Sequence, residues 1–367
     1  MAAWALVLAV SFAAVRGREA PPAEADDGVR GTVRAWLPDA RRAWGSAVVR
    51  PVRATCPASA SGPGWYDGDT HSHTRHSDGG GTVADNAAAA IRAGLSFLFI
   101  TDHNTLNGRA EVAAQQRPGF LCLTGEEVTA GYGHANAYQA DGSVAWEMGP
   151  QAMIRAAHRQ GGILFLNHPY FPGFTWQADD VEGHHGIEVW NGLYSPGHEV
   201  NRRAFALWDR ELNEGERLVG LAGSDAHKPA KVGNPRICAY LEALTPRAVH
   251  RAMRRGTLYG TNGPDVRFTA NGAPMGTDLR VAPGAPVAFK IAARSAHRLT
   301  RVTLIRNGAV LREWAPAGPE KAIALSDTPT DRTWYRVEVA DVDGGFAFSN
   351  PIWVETERAA GLEVARR

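Results

Sequence analysis

The chain has 367 residues, an ordinary 44% hydrophobic content and a formal charge of +1, from 39 Lys plus Arg against 38 Asp plus Glu. That length exceeds the usual single compact domain, and the balanced charge supplies no field to steer the protein onto nucleic acid or anionic lipid. Cys56, Cys122 and Cys238 lie far apart with no CxxC, so they suggest neither a disulfide framework nor a thiolate zinc site and read as small buried residues.

Residues 2–15 form an apolar run too short to span a bilayer, followed by a polar segment with the A-x-A arrangement Ala23-Glu24-Ala25. Residues 1–25 therefore read as a signal peptide or a disordered leader. The first implies a secreted or periplasmic protein and the second a cytoplasmic one, and stable membrane insertion is expected in neither case. Residues 26–64 hold a short β-like piece, GTVRAWLPDA, and the linker CPASASGPG, which marks a domain edge.

From residue 65 to 263 one pattern recurs: a short apolar run ends in imidazole or carboxylate side chains, and a helical segment usually follows. The runs are WYDGDTH, LSFLFITDH, FLCLTGEEV, GHANAY, GGILFLNHP, GIEVWN and RLVGLAGSDAH. Between them TVADNAAAAIRAG, PQAMIRAAHRQGG, HEVNRRAFALWDRELNEG and TPRAVHRAMRRG have helix-forming content, with Thr82 and Thr245 placed as N-caps. Strand-helix alternation favours βα units around a parallel sheet, and a closed barrel of such units gathers the carboxyl ends of its strands at one mouth.

Six of the seven runs carry ligand candidates. His71 and His73 form an HxH, Asp78 follows in SDG, and Asp102-His103 ends a very apolar strand. Glu126-Glu127 follows Gly125, His134 sits in GHANAY, His168 ends GGILFLNHP, and Asp225 and His227 close GLAGSDAH. Any one of these taken singly reads as a hydrogen-bonded structural residue. Their coincidence at successive strand ends is not what core packing produces, and points to a multinuclear metal site. Imidazoles and carboxylates without thiolates suit two or three Mn, Zn or Fe ions, with a bridging carboxylate and positions open to water.

The ordered set HSH…SDG, ITDHN, GEEVT, GHANAY, NHP and GSDAH, with the trailing TNGP, resembles the PHP (polymerase and histidinol phosphatase) superfamily, in particular its CehA/McbA-like metallohydrolase branch. The resemblance spans about residues 65–264 and implies a distorted (βα)7 barrel holding up to three metals. It implies that His71, His73 and Asp225 bind one ion with a bridging glutamate, that His134 and His168 join that glutamate around a second, and that Asp78, His103 and His227 hold a third. Glu127 is the preferred bridge because Gly125-Glu126-Glu127-Val128-Thr129 matches the family's Gly-x-Glu-apolar-Thr pattern, with Glu126 in reserve. Asp78 is preferred to the nearby His76 because it stands in SDG.

Other polar residues carry weaker expectations. Asp69 and Asp102 are placed to orient metal-bound imidazoles, or to make turn and strand-end hydrogen bonds. Arg236 would stabilise an anionic substrate, or serve as a surface or salt-bridged arginine. Lys228 and Asn191 are weaker candidates, and His184-His185 reads as a loop at the rim. Trp176, Trp190 and Tyr194 either line a substrate pocket or pack.

No GxSxG elbow, P-loop or GxGxxG stands out, so the economical mechanism is metal-assisted hydrolysis, in which a bridging hydroxide acidified by two ions attacks the electrophile. Three divalent ions against Asp78, Glu127, Asp225 and that hydroxide leave roughly two positive charges, which suits a phosphate ester. The expected function is thus a phosphoesterase acting on a small, anionic molecule. A carbamate, ester or amide hydrolase on the same centre is the alternative, and a non-catalytic metal-stabilised binding protein is the alternative of another class.

Beyond residue 264 the texture changes to alternating strands, with Asn307-Gly308 and Asp343-Gly344 as hairpin signals. Residues 264–356 read as a C-terminal antiparallel β-sandwich-like domain and 357–367 as a solvated tail. Trp314, Trp334, Tyr335 and Trp353 read as core aromatics in preference to a binding face.

Overall fold

The structure, a computed structural model, describes residues 62–176 and 181–356; the expected leader, the GTVRAWLPDA piece, Cys56 and the C-terminal tail lie outside them. All seven apolar runs are strands: β1 (Gly64–Asp69), β2 (Phe97–Ile100), β3 (Leu121–Ala130), β4 (Gly133–Tyr138), β5 (Ile163–Leu166), β6 (Gly186–Asn191) and β7 (Val219–Gly223). The four helical segments form α1 (Val83–Arg92), α3 (Pro150–Arg159), α4 (Glu199–Glu214) and α5 (Pro246–Arg255), and a short α2 (Arg109–Ala114) precedes β3. Thr82 caps α1 in a reciprocal box with Asp85, and Thr245 caps α5 by accepting from the Ala248 N–H. Each such cap is worth about 1 kcal/mol.

The strands run β8 (Arg236–Leu241), β1, β2, β3, β4, β5, β6, β7 across the sheet. Pairing is parallel at β1/β2, β2/β3, β5/β6 and β6/β7, but antiparallel at β8/β1, β3/β4 and β4/β5. A regular βα alternation is therefore broken: β3 and β4 are joined by two residues, a connection that permits only a hairpin. Nor does the ladder close into a barrel among the described residues. One edge of β1 is taken by β2 and the other by β8, from Gly64↔Leu241 to Gly68↔Ile237, so β7 forms no ladder with β1; past the ends of both strands Ser72 bridges Ala226, with His73 N–H donating to the Ala226 carbonyl at 3.0 Å. The architecture is a mixed α/β fold built on one large sheet, and its mixed strand directions and open ladder depart from the distorted (βα)7 barrel expected from the sequence.

β9 (Leu258–Thr261) continues the sheet beyond β8, and β10 (Asp265–Ala270), β11 (Ala273–Pro274), β12 (Asp278–Val281), β13 (Val287–Arg294), β14 (Leu299–Arg306), β15 (Ala309–Trp314), β16 (Glu320–Asp327), β17 (Thr333–Asp341), β18 (Phe346–Ser349) and β19 (Ile352–Thr356) follow. β10, β11, β13 and β16 make a separate antiparallel sheet, while β18 pairs with β9 and carries β17, β19 and β12 into the large sheet. Both expected hairpins are present: Asn307 and Gly308 each have positive φ between β14 and β15, as a type I′ turn demands, and Gly344 does so between β17 and β18.

Strict alternation of buried and exposed residues along β13 places Val287, Phe289 and Ile291 against Leu304, Tyr335 and Val337. Cys238 of β8 and Tyr259 of β9 belong to that same core. Trp334, Tyr335 and Trp353 are buried, and Trp314 packs against the core from its margin. β17 is tied to α4, where the fully buried Arg336 gives Nε and Nη2 to the two oxygens of Asp209 at 3.0 and 2.9 Å. Burial pushes the Cys122 thiol up to about 12, and it is free. Cys238 departs from the expectation of a simple buried thiol: it is disulfide-bonded.

Candidate metal centre

The HSH stretch leaves β1 and is threaded between the ends of two other strands. The Ser72 carbonyl accepts from Thr101 N–H at 2.9 Å, its Oγ donates to the Phe99 carbonyl at 2.8 Å, and its bridge to Ala226 holds the other side. With Ser72 pinned outward, alternation sends His71 and His73 together into the interior, their Nε2 atoms 3.1 Å apart. Asp78 is brought back to them by a tight loop in which Gly79 lies against the His73 carbonyl, where a Cβ would stand 2.3 Å from the oxygen. That contact is why SDG has glycine in third place.

Glu127 occupies the centre. Its Oε2 lies 3.4, 3.3 and 3.0 Å from nitrogens of His71, His73 and His103, and its Oε1 lies 3.2 and 3.1 Å from those of His134 and His168. The choice between the two adjacent glutamates follows from strand alternation: Glu126 faces the other side of β3, where Ser143 Oγ donates to it at 2.5 Å and Val144 N–H at 2.8 Å. Asp225 reaches His73 Nε2 at 3.0 Å and His71 Nε2 at 3.5 Å, and His227 meets Asp78 at 3.2 Å. All nine residues expected as metal ligands therefore converge on one site. His168 and Asp225 adopt positive φ, a conformation that disfavours side chains other than glycine and that clusters at functional sites.

The donors fall into four overlapping groups: His73, Asp78, His103 and His227; His71, His73 and Glu127; His71, His168 and Asp225; and His103, Glu127 and His134. The second and fourth meet at Glu127, as a bridging carboxylate requires. What the buried atoms of these groups lack is what a divalent ion would supply. Among the described residues, His73 Nδ1, Glu127 Oε2, His134 Nε2, His168 Nδ1 and Asp225 Oδ1 are buried with no hydrogen-bond partner, a costly state for polar atoms unless something else is bound. Two ligands on one tetrahedral ion at ~2.1 Å stand ~3.4 Å apart, the scale of these separations. The residues fit.

Burial and charge oppose one another at the centre. Burial disfavours the His103 imidazolium, but Glu127 and Asp78 outweigh it and push its pKa up to about 10. The hydrogen bond that His227 gives to Asp78 raises its pKa to about 9. Burial works against ionised Glu127, yet the surrounding imidazoles hold its carboxyl well below the usual range. Acidic and basic partners thus compensate one another in the positions an ion would neutralise.

Three residues expected to assist have other tasks. Asp69 touches no imidazole: it accepts from Ser224 N–H and Oγ at 3.0 and 2.5 Å and from Gly233 N–H at 2.7 Å, tying β1 to the loop after β7. Asp102 likewise takes Thr74 N–H at 2.6 Å, Thr74 Oγ1 at 2.7 Å and Ser77 Oγ at 2.7 Å, which shapes the loop carrying Asp78. Arg236 is fully buried, with Nε donating to Asp67 at 3.1 Å, so it is removed from any substrate. Carboxylates and an arginine beside ligands in sequence are here spent on backbone and core. His76 stays outside the centre, paired with Glu111 at 2.8 Å. His184 is buried against Glu211, His185 meets His158, and Trp190 packs on Phe346.

Three residues that support the centre were missed or undervalued. Glu188 on β6 meets His71 Nδ1 at 2.8 Å. Asn191 gives Nδ2 to Glu188 at 2.9 Å and to Asp225 at 3.0 Å. Asn167, inside NHP, donates to Glu127 at 2.9 Å. A lone glutamate in the apolar strand GIEVWN was the available signal for the first. A cavity of about 300 Å³ lined by Arg306, Asp331 and Arg332 lies among the C-terminal strands and contains none of these residues.

No protein-family model matches the chain. Over 203 residues it is 29% identical to a probable phosphatase of Photobacterium profundum, covering 45% of this chain and 80% of that one. Over 139 residues it is 25% identical to an uncharacterized protein of Methanocaldococcus jannaschii, covering 33% and 80%. Among solved structures, a two-domain protein containing a predicted PHP-like metal-dependent phosphoesterase from Bacteroides vulgatus aligns with a TM-score of 0.48 at 17% identity, over 82% of this chain and 98% of that chain.

Proposed function

We propose that the chain is a metal-dependent hydrolase of the PHP type, of the CehA/McbA-like branch, that cleaves a small-molecule phosphate ester. One observation carries the reading: a single buried carboxylate, Glu127, lies within 3.4 Å of five imidazoles delivered from four separate parts of the chain. The similarity to a probable phosphatase over 203 residues supports it.

His71, His73 and Asp225 would hold one ion with Glu127, His134 and His168 a second with the same glutamate, and Asp78, His103 and His227 a third. Divalent ions in those places supply Lewis acidity and an activated water. The chain's own residues do the positioning. Glu188 accepts a hydrogen bond from Nδ1–H of His71, which leaves Nε2 free to ligate. Asn167 steadies the Glu127 oxygen shared by His134 and His168. Asn191 spaces Glu188 from Asp225 and keeps two buried carboxylates from repelling freely. Glu188 also adds a fourth carboxylate to the charge balance, which trims the positive surplus of three divalent ions without reversing it, so an anionic ester still suits the site.

The test is a panel of p-nitrophenyl phosphate, bis(p-nitrophenyl) phosphate and p-nitrophenyl carbamate with Mn, Zn or Fe(II) added. Phosphoester turnover that is lost on chelation and in His73→Ala is the expected result. Faster turnover of the carbamate would move the assignment to that class, and a folded, metal-loaded protein inert on all three would make the chain a binding protein.

A further inference from the structure

The two sides of the centre differ in chemistry. On one, Asp78, His103 and His227 are partly open to solvent, Asp78 with 53% of its side chain exposed. On the other, aromatic rings cover the imidazoles. Phe174 stands 4.8 Å from His134 and Phe171 5.4 Å from His168, centroid to centroid. The rings continue outward, Phe171 lying 6.0 Å from Phe174 and 5.7 Å from Tyr194. Phe174 is nevertheless 42% exposed and Leu193, next to Tyr194, 49% exposed.

Single exposed apolar residues are ordinary, but a connected ridge that starts on candidate metal ligands and ends in solvent is a surface with a use. Arg203 is turned onto the face of Tyr170 at 4.0 Å. We infer that this ridge is a subsite for a flat, apolar organic group of the substrate, so that the preferred esters are aryl esters. The inference rests on the phosphoesterase reading for the reacting group, but the subsite itself is a matter of binding. Aromatic faces gain from a ring partner beyond the area it buries. A methyl ester offers no such partner.

The test uses the full chain loaded with Mn and measures binding of phenylphosphonate and methylphosphonate by calorimetry, in the wild type and in Phe174→Ala. The expected result is phenylphosphonate bound at least fivefold more tightly than methylphosphonate. Phe174→Ala then removes most of that preference while leaving methylphosphonate within twofold. Equal binding of the two phosphonates, binding of neither, or an equal loss of both in the variant overturns the subsite. A phenyl preference that depends on Phe174 in a protein that hydrolyses no ester would uphold the subsite and sink the hydrolase reading. Ester hydrolysis without any phenyl preference would do the reverse.

Discussion

Nδ1 of His71 donates to Oε1 of Glu188 at 2.8 Å, across 117 residues of sequence, in a place where both side chains are almost fully buried. The other Glu188 oxygen accepts the His168 backbone N–H at 3.2 Å and Asn191 Nδ2 at 2.9 Å. One carboxylate therefore fixes the tautomer of one candidate ligand and the backbone of another.

Removing that carboxylate is expected to cost metal affinity before it costs the fold. Support of this kind is worth roughly 10–100-fold in affinity. Glu188→Ala should weaken Mn or Zn binding by about that factor in a competition titration with a chromogenic chelator, with Glu188→Gln falling between it and the wild type. Unchanged affinity in Glu188→Ala would remove Glu188 from the account.

Gly223 makes the same contact testable from the opposite side. A Cβ there would stand 2.6 Å from Glu188 Oε1 and 2.7 Å from His71 Cβ. Gly223→Ala should therefore lower metal affinity in the same titration and destabilise the protein by about 1–3 kcal/mol, the usual cost of overpacking. Its effect on affinity should be smaller in a Glu188→Ala background, because both changes break one interaction.

The contrast between the residues that were legible and those that were not is instructive. Histidines and carboxylates recurring with successive apolar runs announced the nine candidate ligands, although Glu127 lies within β3 and His134 near the start of β4. Glu188 sits inside such a run, and its partner is brought to it only by the ordering of β1, β6 and β7. Asp69 and Asp102 stand beside ligands in sequence, yet alternation and loop shape turn them onto backbone N–H groups. The same limit applied to the fold. Seven strands and four helices could be read from periodicity, but strand direction depended on a two-residue connection between β3 and β4. Closure depended on β8 returning to occupy the free edge of β1.

His185 supplies a pH dependence outside the metal centre. Burial, with His158 and Arg254 adding repulsion, lowers its pKa to about 3. The folded state keeps this imidazole neutral, while the unfolded chain takes up a proton below about pH 6.5, so its contribution is present at neutral pH and lost as pH falls from about 6.5 towards 3. In metal-free protein, urea unfolding at pH 7 and pH 5 should show His185→Asn losing up to about 2 kcal/mol less than the wild type over that interval. An equal loss in both proteins would mean that His185 is not held neutral.

The tie between β17 and α4 should matter to stability and not to metal binding. Arg336 is fully buried, and Asp209 meets it with both oxygens. Asp209→Ala leaves that guanidinium with Glu338 and should destabilise the protein by about 3–5 kcal/mol in denaturant unfolding, with metal affinity of the folded protein unchanged. A cost below 1 kcal/mol would show that the ion pair is dispensable.

The most direct measurement follows one phosphodiester rate through three states of the same preparation: metal-loaded, stripped with chelator, and reloaded with Mn, alongside Glu127→Gln. The account predicts bis(p-nitrophenyl) phosphate turnover in the first state, its loss in the second, recovery in the third, and a drop of at least a hundredfold in the loaded variant. Turnover that survives chelation, or that survives in Glu127→Gln at the wild-type rate, would contradict a metal centre built on that carboxylate.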